Sequence, residues 1–112
     1  MRQLERYQLV LLWRPARSPE FDDATLDRLQ EQHLAHYDGL RESGEVVSFG
    51  PVLDQPDALL RGIVLFGVES VERARTLAEA DPMVPAGRLR VEAMTYLTAP
   101  GGLGRPGIPN PL

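Results

Sequence analysis

The sequence predicts an α+β domain with the element order β-α-β-β-α-β, and three observations predict it. Residues 24–43 and 71–80 carry apolar side chains at helical spacing. Residues 5–13, 45–53, 60–68 and 88–97 carry the alternating or continuous apolar patterns of strands. Turn-forming residues stand at the joints: Gly44, the "DQPD" at 54–57, and Pro82 with Gly87. A chain of 112 residues suits one domain with one modest core.

In the first strand, "ERYQLVLLW" at 5–13, Tyr7, Leu9, Leu11 and Trp13 share one face. Val10 and Leu12 share the other, so both faces are expected to be covered. The connection "RPARSPEFDD" at 14–23 follows, with Asp22 or Asp23 placed to cap a helix. In that helix Leu26, Leu29, His33, Tyr37 and Leu40 form one stripe, and Gly44 ends it. The second strand, 45–53, is expected to bend near Gly50-Pro51. The third, 60–68, is apolar enough to be central. Ser70 caps the second helix, with Glu72 in its first turn and Val71, Ala74, Leu77 and Ala78 on its apolar face. The fourth strand, 88–97, alternates, with Leu89, Val91 and Ala93 inward and Arg88, Arg90 and Glu92 outward.

This order is the ferredoxin-like split βαβ arrangement, which puts both helices on one face of the sheet. The other face needs a cover that the domain, residues 1–98, does not supply. A homodimer with two sheets packed face to face is the expectation. The Gly- and Pro-rich tail, 99–112, is expected to be disordered or to lie as an arm along the partner.

Composition excludes several classes of function. The chain is 43% hydrophobic and 25% charged, ordinary for a globular protein. Its net charge of −4 argues against nucleic acid as a partner. No apolar run approaches the roughly 20 residues that span a membrane. The apolar start is interrupted by charges and lacks a cleavage site, so it reads as a strand rather than a signal peptide. With no targeting segment and no cysteine, a cytoplasmic location is expected. Without cysteine there is no thiol nucleophile or thiolate metal site; without lysine there is no Schiff-base chemistry.

His33 is the leading candidate for chemistry, because it stands mid-stripe and titrates near neutrality. A core histidine bonded to a backbone carbonyl is the plainer alternative. Asp81 extends the apolar face of the second helix, with Ala74, Leu77 and Ala78. It either caps the turn "DPMVPAG" or orients His33, and one carboxylate can do both, one oxygen for each. Tyr37 is expected in the core; His36, at the stripe's edge, is expected to be exposed, with a pocket within its reach. Ser48, Tyr37 and Arg61 are candidates to position a polar substrate. His33 and His36 lack the further ligands that a helical metal pair calls for, so no metal is assigned. Gly101, Gly102 and Gly104 precede no helix and do not make a phosphate loop.

Two segments, "EQHLAHYDGLRESGEVVSFGPV" at 31–52 and "ARTLAEADPMVPAGRLRVEAMTYL" at 74–97, together resemble the YciI-like (YCII-related) family. The first has a His-Leu-Ala motif and then Gly-Pro; the second has Ala-Asp-Pro and then Val-x-Ala-Gly. The resemblance implies a dimeric α/β barrel and a catalytic pair that maps onto His33 and Asp81. It places Gly50 and Met83 beside the pocket, Met83 standing where the family usually has an aromatic residue. The expected function is a cofactor-independent small-molecule enzyme using His–Asp acid–base chemistry for a lyase, isomerase or elimination reaction. A non-catalytic ligand-binding dimer is the alternative. A cofactor-free monooxygenase or haem-handling protein, implied by the broader resemblance to dimeric α/β barrels and kept open by Trp13 and the histidines, stands third.

Overall fold

β1 (Glu5–Trp13) and β3 (Leu60–Phe66) occupy the middle of a four-stranded antiparallel sheet. β2 (Val46–Pro51) flanks β3 and β4 (Arg90–Thr98) flanks β1, giving the order β2-β3-β1-β4. The structure, a computed structural model, describes residues 3–110. α1 (Asp23–Glu42) follows β1 and α2 (Val71–Glu79) follows β3. This is the ferredoxin-like arrangement, with β3 inserted between β1 and β2.

Local chemistry sets the element ends. The Asp22 side chain accepts the Thr25 N–H at 2.8 Å and caps α1. Ser70 does the same for α2 through the Arg73 N–H at 3.0 Å. Gly44 stops α1 with φ +86°, a left-handed conformation that glycine adopts without strain. α1 therefore starts and stops one residue earlier than the spacing suggests, and β4 begins at Arg90 rather than 88.

The core lies between the helices and one face of the sheet. Val10, Leu12, Val64 and Phe66 from the sheet meet Leu29, Tyr37, Ala74 and Ala78 from the helices. Each large apolar side chain buried there contributes about 1.5–3 kcal/mol. The buried Ala74 and Ala78 give α2 a flat face on the sheet. The opposite sheet face carries Leu9, Leu11, Ile63, Leu65 and Tyr96. The start of the tail folds back onto it: Gly101 N–H donates to Glu5 Oε1 at 2.9 Å. A 3-10 turn at Gly102–Gly104 follows, and Leu103 joins Leu9, Leu65 and Tyr96 around a shallow hollow. The tail thus begins as a turn against its own sheet. Among the described residues, no helix is long and apolar enough to cross a membrane.

The β2–β3 ladder contains one irregularity that matters for the site. Val46 pairs with Phe66 but Ser48 pairs with Leu65, so an extra residue is accommodated at Val47. This bulge shifts the alternation of β2 by one.

Gly62 on β3 carries a strict steric requirement, since a Cβ there would lie 2.9 Å from the Gly50 carbonyl oxygen on the neighbouring strand. Gly62→Ala is expected to destabilise the chain by about 1–3 kcal/mol in chemical unfolding. Gly50→Ala, whose Cβ would meet nothing within 4 Å, is expected to leave the unfolding midpoint nearly unchanged.

Candidate active site

α1 presents Leu29, His33 and Tyr37 at four-residue intervals, so the three side chains stack along its inward stripe. Leu29 and Tyr37 are buried, and His33 between them keeps partial access to solvent. After α2 the chain cannot continue as helix into Pro82. It turns through 82–87 instead, with Val84 N–H donating to the Asp81 carbonyl at 2.9 Å and Gly87 closing the turn at φ +81°. This turn delivers the Asp81 side chain, with 0% exposure, to the inner surface of α1.

The two carboxylate oxygens of Asp81 have separate partners. Oδ1 accepts the Met83 N–H at 3.0 Å, a side-chain turn that fixes the start of the 82–87 loop. Oδ2 lies 2.5 Å from His33 Nδ1. With Nδ1 engaged by Asp81, Nε2 is the ring nitrogen left for other partners. Nε2 makes no hydrogen bond among the described residues. The Asp81 carboxylate is thus both a turn cap and the partner of His33.

His33 opens onto a cavity of about 330 Å³ between α1, the sheet and the 82–87 turn. Tyr37, Phe49, Met83 and Leu89 form its apolar wall, and backbone at Gly50 and Gly62 forms its sheet side. Tyr37 packs edge-on against His33, with ring centroids 5.2 Å apart and planes at 75°. Its hydroxyl is buried without a hydrogen-bond partner among the described residues. Burial first, and then the nearby Asp81 charge, push the Tyr37 phenol above its ordinary value of about 10.

The residues singled out from sequence divide between this cavity and other places. His33, Tyr37, Gly50, Arg61 and Met83 line it, and Asp81 stands behind His33. His36 does not line it: its Nε2 lies 2.8 Å from the Leu77 carbonyl, so the ring clips α1 to α2. Ser48 is on the opposite sheet face, exposed, beside Leu65 and Leu103. Strict alternation from the buried Val46 would turn Ser48 inward; the bulge at Val47 turns Phe49 inward instead. Trp13 is also outside the cavity, held by Glu92 Oε1 at 2.9 Å and with Arg90 over its ring. Among the described residues, no three His, Cys, Asp or Glu side chains gather as a metal set would.

Arg14 and Arg88 line the cavity and were not anticipated. Arg88 was expected to point outward on a strand, but it precedes β4 and is partly enclosed. The register supplies the reason. Trp13 pairs with both Leu60 and Arg90, so residues just past the end of β1 and near the starts of β3 and β4 flank one end of the sheet. Only the strand order reveals this convergence.

The YCII-related domain matches residues 9–95, most of the chain. The chain belongs to the YCII-related family. The match spans β1 to β4 and includes both members of the His33–Asp81 pair. No curated protein matches this family member. Among solved structures, it is similar to a 5-chloro-2-hydroxyhydroquinone dehydrochlorinase from Burkholderia phenoliruptrix in complex with 2,5-dihydroxybenzoquinone. The two share 16% identity with a TM-score of 0.53, covering 80% of this chain and 90% of that one. That likeness is one of fold.

The unpartnered Tyr37 hydroxyl gives a test of this wall. Tyr37→Phe removes a buried polar atom without breaking a bond, so its stability near neutral pH is expected to match or exceed the wild type. The folded wild type holds the phenolic proton more tightly than the unfolded chain does. Its stability is therefore unaffected below the unfolded value, about pH 10, and falls as pH rises above it. Urea unfolding on both sides of that pH is expected to show a smaller alkaline loss for Tyr37→Phe.

Proposed function

We propose that this protein is a small-molecule enzyme that uses His33 as a general base and acid, in a lyase, isomerase or elimination reaction. The observation that carries this reading is the 2.5 Å contact between His33 Nδ1 and a fully buried Asp81 carboxylate at the wall of a cavity. His33 Nε2 takes a proton from a carbon next to a carbonyl. The C–H electron pair becomes an enolate or expels a leaving group on the neighbouring carbon. Asp81 fixes the tautomer and stabilises the imidazolium that forms. Nε2 then returns the proton to the rearranged product, or to solvent after elimination. The solved neighbour is by its name a dehydrochlorinase, and elimination belongs to the same class of chemistry.

The reading includes a homodimer through the open sheet face, where Ile63 and Tyr96 are exposed large apolar residues. Analytical ultracentrifugation over a concentration range is expected to give a dimer for the wild type and a monomer for Tyr96→Glu. A monomeric wild type would refute this part.

Solvent-deuterium exchange into small carbonyl compounds, followed by proton NMR, tests the chemistry. Loss of exchange or elimination by about 10²–10⁴-fold is expected in His33→Asn, with a smaller loss in Asp81→Asn. In Asp81→Asn the nitrogen-15 shifts of the His33 ring are also expected to show a changed tautomer population. Turnover that is indifferent to His33 would sink the proposal. Tight ligand binding with no turnover in any variant would favour a binding protein instead.

A further inference from the structure

The cavity wall has a charge pattern that the acid–base pair does not use. Arg14, Arg61 and Arg88 all line it, and none is in an ion pair among the described residues. The chain has 16 acidic residues, yet no Asp or Glu is among the side chains lining this cavity. The sheet register puts the residues that flank Trp13, Leu60 and Arg90, these three arginines among them, at one end of the sheet. Arg14 Nε is buried without a hydrogen-bond partner among the described residues, while the side chain as a whole is only partly enclosed. Its remaining N–H donors are the ones a bound acceptor could reach. Arg61 commits one N–H to the Ala58 carbonyl at 3.1 Å, which steadies the side chain and leaves its other donors available. Burial, and then the positive charges of Arg88 and Arg61, lower the affinity of Arg14 for its own proton. That repulsion would be relieved by an anion among them. A protein of net charge −4 has therefore kept a positive pocket next to its histidine.

We propose that the cavity takes a small organic acid whose carboxylate is held by Arg14, Arg61 and Arg88, with its reactive carbon presented to His33. The planar guanidinium fork suits a carboxylate in two-point contact. The placement of the reactive carbon rests on the acid–base reading above; the carboxylate site rests on the arginines alone.

Proton–nitrogen NMR titration with benzoate, with its uncharged analogue benzamide, and with inorganic phosphate tests the site. Benzoate is expected to give saturable shifts at the amides of Arg14, His33 and Arg88, and benzamide to give none. Arg61→Gln and Arg88→Gln are each expected to weaken benzoate binding about ten-fold or more, one charge-assisted hydrogen bond's worth. Arg61 is exposed, so its variant keeps the test valid if the more enclosed positions disturb folding. No benzoate binding, equal binding of benzamide, a preference for phosphate, or wild-type affinity in the arginine variants would overturn the proposal. His33→Asn separates the two readings. Benzoate binding retained in a variant that has lost exchange supports both. Exchange that depends on His33 but ignores the carboxylate refutes only the arginine site. Carboxylate binding with exchange indifferent to His33 refutes only the acid–base reading.

Discussion

The Asp81 carboxylate ties three parts of the chain together. Through Oδ1 it sets the turn that leads from α2 to β4. Through Oδ2 it holds the inward face of α1 by way of His33. A fully buried carboxylate is stable only if both oxygens find donors, and here each donor belongs to a different element. The cavity depends on this arrangement, because its walls are α1, the turn and the sheet that lies under both. Replacing the pair with apolar groups of similar size would keep the packing and remove the one polar feature that fixes the angle of the imidazole.

Much of this was legible in the sequence. The helix caps Asp22 and Ser70, the Gly44 stop and the central place of β3 follow from local chemistry and periodicity. His33 and Asp81 stand out because each interrupts an apolar face with a polar group. The misplacements have one origin, which is tertiary. Ser48 is a polar residue on a strand beside the cavity, and a bulge that no Gly or Pro marks turns it to the far face. His36 carries the right chemistry in the right helix, but three residues from His33 it meets the backbone of α2 rather than the cavity. Arg14 and Arg88 lie in connecting segments, and nothing in their neighbourhoods tells where a connection will lie until the register is known.

The charge distribution has a similar logic. Acidic residues outnumber basic ones at the exposed positions of α1 and contribute to the protein's negative overall sign. The sheet end collects arginines instead. A pocket lined by arginines and by no carboxylate favours an anion at that one opening. The aromatic contacts of Tyr37 with His33, His36 and Phe49 hold the inner wall rigid behind that opening.

The bulge at Val47 carries an evolutionary consequence. The residues after it take their facing from their partners on β3, Ser48 from Leu65 and Phe49 from Val64. Deleting Val47 would remove the bulge and keep those pairs, so Ser48 would still face away and Phe49 inward. Pairing Val47 regularly would instead slide Ser48 opposite Val64 and give the cavity a hydroxyl in place of an aromatic wall. The identity of this wall therefore depends on how one extra residue is accommodated, which comparison of aligned residues alone would miss.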